Sequence, residues 1–526
     1  MENLLIPPTG SVTVRMYRQG HGDCFLLAFD QGNSDRPFYV VIDCGYKPGS
    51  QNFIHKDESG AFTDGPSIRE IVDHIGLSTN SHLDLFIVTH EHQDHLNGIW
   101  QKTNPFFENF TIDKAWFAWT EDPLDELANK LRKKHRDQLL GLVGARNKLS
   151  VTFGADHSAV ERLDELLSLE VGGHEEKFAA GMLGAAADPA KSDNKQSMKL
   201  VKDKALANNG VDFLRPGDLE KIGCGADPVK VYVLGPPHNE TLIADEDPVG
   251  SESFPNNLAR QQSGSFMAAV NADPVDVGSP FDSRFQSGFN DEIQYIENGV
   301  VKIEPFLKTY YGDIDASQQP GDVKSNEVEQ NAEWRRIDKD WLFSSENLAI
   351  KLNTGINNTS LVLAFELPKS KKVLFFAGDA QRGNWMSWGD MKWGTGEEET
   401  TAKDILSRAV LYKAGHHGSH NATLSGQVED KYANLSWMGQ GKYGREFTAM
   451  ITAVNTWAIT KNRPPWRHPL PAIKKALEEK CSGRVFQTDV PVPAKPDNVS
   501  DSEWQAFVGR MKCDRLYFDY TIADVD

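Results

Sequence analysis

Short apolar runs ending in glycine, aspartate or histidine cluster toward both ends of the chain, and the middle holds one, at residues 229–235. Val12-Thr13-Val14-Arg15-Met16-Tyr17 alternates with the period of a half-buried strand. Cys24-Phe25-Leu26-Leu27-Ala28-Phe29 follows a glycine-rich turn, and Phe38-Tyr39-Val40-Val41-Ile42-Asp43 reads as a third strand. Leu83-Asp84-Leu85-Phe86-Ile87-Val88-Thr89 has the near-continuous apolar character of a strand buried on both faces. Further strands are expected at Val229-Lys230-Val231-Tyr232-Val233-Leu234, Leu361-Val362-Leu363-Ala364-Phe365 and Val373-Leu374-Phe375-Phe376-Ala377. Others follow at Val410-Leu411-Tyr412-Lys413, Ala449-Met450-Ile451-Thr452-Ala453-Val454 and Arg484-Val485-Phe486-Gln487. A helix is expected at Ala472-Ile473-Lys474-Lys475-Ala476-Leu477. The mixture predicts an α/β fold.

Two polar stretches interrupt this pattern. Residues 121–230 read as a mostly helical insertion, and residues 239–345 as an irregular insertion or lid with too few apolar residues for its own core. The division expected is 1–120 and 346–490 for the two halves of the core, 231–238 for an isolated core strand, and 491–526 for a C-terminal extension. The cationic run Lys130-Leu131-Arg132-Lys133-Lys134-His135-Arg136 reads as a solvated helix face, with contact to a phosphate backbone as the sharper alternative.

The chemistry concentrates in His90-Glu91-His92-Gln93-Asp94-His95, directly after a buried strand. Imidazole nitrogen and carboxylate oxygen are ligands for zinc and also suit manganese or iron. In an extended loop His90 and His92 point one way, while Asp94 and His95 at a helix start face a second ion. Two later strands also end in candidate ligands, at Gly378-Asp379 and at Gly415-His416-His417-Gly418-Ser419-His420. Composition adds two restrictions. A net charge of −19 repels long nucleic acid globally, so a phosphate substrate has to be drawn in locally. Five scattered cysteines without a C-x-x-C, no signal-peptide pattern and no membrane-length apolar run predict a cytoplasmic protein with reduced thiols and no membrane association.

The H-x-H-x-D-H pattern resembles the metallo-β-lactamase superfamily. Gln19-Gly20-His21-Gly22-Asp23-Cys24, Ile42-Asp43-Cys44-Gly45, Leu234-Gly235-Pro236-Pro237 and Leu411-Tyr412-Lys413-Ala414-Gly415-His416-His417-Gly418-Ser419 are similar to motifs in the hydrolase domain of competence-type DNA-uptake channel proteins and their soluble relatives. The resemblance implies an αββα sandwich carrying two large insertions. It implies two divalent ions, zinc or manganese, on His90, His92, Asp94, His95, Asp379 as the bridge, and His416. Asp43 would orient the histidine loop, and His417 or His468 would protonate a leaving group. Asn357, Asn358, Ser360, Arg463 and Arg467 would support the site or touch the substrate. One departure stands out: Asn353-Thr354-Gly355-Ile356-Asn357-Asn358-Thr359-Ser360 has no histidine where many members place a ligand, and His238 is a candidate replacement. The function implied is hydrolysis by metal-activated hydroxide of a phosphodiester in single-stranded DNA or a nucleotide. The alternatives are a small ester, lactone or phosphate metabolite as substrate, or a regulated effector role in a multi-protein bacterial system such as antiviral defence, with the insertions binding a protein partner.

Overall fold

A computed structural model describes residues 4–32, 36–102, 104–172, 192–223, 227–255, 294–297, 300–303, 340–460 and 466–525. The chain divides into two compact units. The second, Gln138–Leu163 with Arg260–Lys351, contains helical segments and a hairpin of Gln294–Glu297 with Val300–Ile303. The first, Met1–Asp137 with Asp164–Ala259 and Leu352–Asp526, carries two mixed sheets and every candidate site residue named above.

The strands of the first sheet are β1 (Ser11–Tyr17), β2 (Cys24–Phe29), β3 (Phe38–Cys44), β4 (His82–Ile87), β5 (Thr111–Ala118) and β6 (Val211–Leu214). Those of the second are β7 (Leu219–Ile222), β8 (Val229–Gly235), β9 (Val362–Glu366), β10 (Val373–Phe376), β11 (Ala409–Lys413), β12 (Thr448–Ile451) and β13 (Val485–Gln487). The chain then returns to the first sheet with β14 (Met511–Cys513) and β15 (Tyr517–Ala523). The sheet orders are β6-β5-β4-β3-β2-β1-β15-β14 and β7-β8-β9-β10-β11-β12-β13.

Seven helices bear on the site or its support: α1 (Ile68–Thr79), α2 (Gln93–Leu96), α3 (Glu126–Phe153), α4 (Ser158–Val171), α5 (Asp193–Leu206), α6 (Asp340–Asn357) and α7 (Arg382–Ser387). An eighth, α8 (Pro471–Lys480), begins on proline, whose missing N–H costs nothing in a first turn. Among the described residues no helix is long and apolar enough to cross a membrane.

Alternation along each strand sends side chains to two different cores. Val14, Phe25, Ile42 and Ile87 of the first sheet share one core with Val231, Phe365, Phe376 and Met450 of the second. Phe25 meets Phe376 edge to face at 5.3 Å across that core. The opposite faces are covered by helices. Leu26, Val41 and Phe86 pack with Ile71 and Ile75 of α1 and Val201 of α5, while Phe375 and Tyr412 pack with Trp385 of α7 and Ile473 of α8. Burial on both faces is why these strands read as continuous apolar runs.

Two expected boundaries shift. Residues 192–222 belong to the core and not to an insertion, because α5 covers the first sheet while β6 and β7 form the edge strand of one sheet and of the other. Residues 511–523 are structural strands, since β15 pairs along the full length of β1. The cationic run also has bonded members: Lys130 and Lys134 meet Glu240, and Arg132 donates to the carbonyls of Thr120 and Asp122.

Arg15 on β1 donates to both carboxylate oxygens of Asp519 on β15, at 2.7 and 2.8 Å, with both side chains largely buried. Removing one partner of a buried pair strands the other charge, at a cost of about 3–5 kcal/mol. Asp519→Ala is therefore expected to lower unfolding stability by about that amount in a urea titration. An unchanged midpoint would contradict the role given to the C-terminal strands.

Candidate metal centre

The site forms where several parallel strands end. β4 runs parallel to β3, and β10, β11 and β12 run parallel to one another. Asp43 lies at the end of β3, and the loops after β4, β10, β11 and β12 carry His90–His95, Asp379, His417 and Thr452. Carboxyl ends of parallel strands are the usual place for ligands in open sheets. Glycines make the close approach possible. A Cβ on Gly22, at φ 146°, would lie 2.4 Å from the Asp94 carbonyl oxygen, and one on Gly45 would lie 2.4 Å from the His95 nitrogen.

Proton placement in the surrounding hydrogen bonds decides what the imidazoles offer. Asp43 accepts from the Thr89 N–H at 2.8 Å, from Thr89 Oγ1 at 2.6 Å and from His95 Nδ1 at 2.8 Å. With its proton on Nδ1, His95 presents a lone pair on Nε2, which lies 3.2 Å from Asp379 Oδ2. His417 repeats the arrangement. Thr452 Oγ1 donates to Asp23 Oδ1 at 2.6 Å, so it accepts from His417 Nδ1 at 3.0 Å. His417 Nε2 then faces Asp94 Oδ2 at 3.2 Å and Asp379 Oδ2 at 3.5 Å. Two imidazole lone pairs and two carboxylates thus converge in a buried space. Such a convergence is unfavourable without a cation between the acceptors.

Asp23, His95, Asp379 and His417 form a buried cluster able to hold a metal ion, with one ligand atom from each within 4.8 Å of the others. Asp23 is the weakest member, because its oxygens are already engaged by Thr452 and by Lys413 Nζ at 2.5 Å. Asp94 is the better fourth ligand, since its Oδ1 is buried without a hydrogen bond. The donors therefore fit a divalent ion. A second group, His82, Asp84 and Asp113, is half-buried and already holds the Arg36 guanidinium on Asp84. It is an ion-pair network.

The electrostatics agree with the geometry. Burial opposes charge on His95, but Asp379, Asp23 and Asp43 raise its pKa well above the usual imidazole value. Burial likewise opposes the Asp379 carboxylate, yet His95, His417 and Lys413 hold its pKa well below the usual range. Lys413 is buried and donates to Asp379 Oδ1 at 3.2 Å and to the Gly378 carbonyl at 2.8 Å. Against the cost of its burial, Asp23 and Asp379 raise its pKa to about 12, so it is a permanent cation behind the site.

His90 and His92 lie beside this cluster. His90 Nδ1 is within 3.2 Å of Ser360 Oγ, which itself accepts from the Asp379 N–H at 2.9 Å. His90 Nε2 lies 3.1 Å from His92 Nδ1 and 4.0 Å from Asp379 Oδ2. Ser360 thus braces a histidine and the central aspartate together.

Several expectations need correction. His417, and not His416, reaches the carboxylates. Both residues have positive φ, 43° and 53°, and this backbone turn sends His416 instead to Asn357 Nδ2 at 3.2 Å and Asn421 Oδ1 at 3.3 Å. Asn358 is structural: its amide donates to the carbonyls of Leu242, Ile243 and Asp245, and its oxygen accepts from the Gln381 N–H. His238 does not replace the missing histidine, because it pairs with Asp125 at 2.9 Å and is about 41% exposed. His468 is half-buried, 3.2 Å from His21 Nε2 through Nδ1, with its ring 6.2 Å from that of His417. Arg467 is half-buried and makes no ion pair with a described residue, and Arg463 lies outside the described residues.

Asp23 and Lys413 lie in motifs quoted above but have no role assigned there, and Glu170 is absent from them. A lysine inside the apolar run Val410-Leu411-Tyr412-Lys413 was the available signal for one of them. Glu170, buried on α4 at 3.3 Å from His92 Nε2, had no signal in its local sequence. No known family model matches this chain, and no curated protein matches it.

Two outcomes follow for metal binding. After dialysis against zinc, elemental analysis is expected to find less zinc in His417→Ala than in wild type and an unchanged content in His416→Ala, and the reverse pattern would overturn the ligand assignment. Because the metal-free protein holds a proton on His95 above the usual imidazole pKa, binding has to displace it. Zinc affinity is expected to rise with pH from 5 to 7, by up to about tenfold per unit. A flat profile in calorimetric titrations would contradict this.

Proposed function

We propose that this chain is a metal-dependent hydrolase of the metallo-β-lactamase type, an αββα sandwich cleaving phosphodiesters in single-stranded DNA or a nucleotide. One observation carries the reading: Asp379 Oδ2 stands 3.2, 3.5 and 4.0 Å from His95, His417 and His90 Nε2. A single carboxylate oxygen so placed suits a bridge between two ions, one on Asp94, His95 and His417, the other on His90 and His92. Zinc or manganese matches these imidazole and carboxylate donors. Divalent ions bound there would lower the pKa of water toward neutrality and stabilise charge developing on the attacked phosphorus.

The chain's own residues do the rest. Lys413 occupies Oδ1 of Asp379 and leaves Oδ2 facing the ligands. Asp43 and Thr452 hold the His95 and His417 rings with Nε2 inward. Burial, reinforced by His416 and His417, holds the pKa of His468 well below the usual value. His468 therefore serves as a neutral hydrogen-bonding group toward a substrate oxygen, and not as a stored proton. Arg467, on the same segment, supplies positive charge to an anionic substrate. A net charge of −19 favours short or single-stranded substrates over long duplex.

Purified protein with added zinc or manganese is expected to cleave end-labelled single-stranded DNA or bis-p-nitrophenyl phosphate. Asp379→Asn is expected to lose about 10²–10³-fold in kcat, the range for removing one charge-stabilising group. No hydrolysis of either substrate with either metal would refute the phosphodiesterase reading.

A further inference from the structure

Glu170 lies in the last turn of α4, within the stretch where the core pattern is interrupted, yet its side chain is buried against the histidine loop. Its two oxygens take two imidazoles: His92 Nε2 at 3.3 Å and His135 Nε2, from α3, at 2.9 Å. Burial opposes its charge, but His135 and His92 bring its pKa down to about 2. The turn of α4 that bears it is fastened at several points. Lys47 Nζ, itself buried, donates to Ser168 Oγ at 2.9 Å and to Gln93 Oε1 at 3.0 Å, tying α4 to the start of α2. Asn194 donates to the carbonyls of Leu169 and Glu170, and Asn353 to that of Leu166.

The geometry has a consequence for His92. A carboxylate only accepts, so the bond to Glu170 puts the His92 proton on Nε2. Nδ1 then carries the lone pair, and Nδ1 is the atom 3.1 Å from His90 Nε2. His90 is turned the opposite way, with Nδ1 toward Ser360 and Nε2 toward His92. With the Glu170 bond in place, the two rings therefore present lone pairs to one ion.

We propose that Glu170 is a positioning residue for the ion on His90 and His92, supplied by α4 and held by His135, which selects the His92 tautomer that coordinates through Nδ1. This rests on the metallohydrolase reading above. It compensates in part for the histidine absent from residues 353–360, because a two-imidazole half-site gains most from rings that are already oriented.

The test is zinc titration of the full chain against a chromophoric chelator, for wild type, Glu170→Leu and Glu170→Gln, with thermal melting to confirm folding. Wild type is expected to bind two ions. Glu170→Leu is expected to weaken one of them about 10–100-fold and leave the other unchanged. Glu170→Gln, which still offers an acceptor to His92, is expected to recover most of the loss, a rescue that simple packing at this position does not predict. ¹⁵N-histidine spectra of the zinc-loaded protein are expected to show one Nδ1-coordinated histidine in wild type and its loss in Glu170→Leu. A folded Glu170→Leu protein that binds both ions as wild type does would overturn the proposal while leaving the metallohydrolase reading standing. Wild type that binds no zinc would overturn both. If Glu170→Leu fails to fold, His135→Leu carries the test, since it leaves Oε2 unpaired and loosens the hold on His92. The same ion is then expected to weaken, and unchanged affinity would overturn the proposal.

Discussion

The whole site depends on one electrostatic constraint: acceptors facing acceptors around Asp379 Oδ2 in a buried space. His95 and His417 each spend the Nδ1 proton outward, on Asp43 and on Thr452, so Nε2 of both rings points inward as a lone pair. Asp94 and Asp379 face the same space as carboxylates. A buried polar atom without a partner costs on the order of 1–3 kcal/mol, and more when charged. The metal-free protein relieves this by protonating His95, and a divalent ion relieves it more completely. The fold therefore stores a demand for a cation, with Lys413 offsetting part of the negative charge from behind.

That constraint is sustainable because the supports come from rigid elements far apart in sequence. Asp43 ends β3, the histidine loop follows β4, Asp379 follows β10, His417 follows β11 and Thr452 follows β12. The first two strands lie in one sheet and the last three in the other, and the apolar core they share fixes the distance across which the two ligand sets meet. Tandem left-handed backbone at His416 and His417 is another local cost accepted at the site. It separates the two rings and commits only His417 to the carboxylates.

The strands and the histidine loop were legible because burial on both faces writes long apolar runs, and because ligand residues sit directly at the ends of those runs. Ser360 and Asp43 were legible through the same neighbourhood. The choice between His416 and His417 was not, since it turns on two φ angles that adjacent identical side chains do not reveal. Asn358 was misread because an asparagine that braces three carbonyls looks in sequence like one that meets a substrate. Glu170 is hidden for a different reason: its role is created by the docking of α4, and an inward carboxylate on an amphipathic helix looks in sequence like one on its solvated face. The edge strands β6 and β7 are four residues each, too short to carry a periodic signal, and the place of β15 in the fold is set by pairing with β1 at the other end of the chain.

Anomalous diffraction from crystals grown with zinc would locate the ion itself. A peak is expected at about 2.0–2.1 Å from Nε2 of both His95 and His417, with Asp94 and Asp379 completing the coordination. Zinc-saturated crystals with no peak at that position, and with His95 still facing Asp379 as an unmetallated pair, would contradict that assignment.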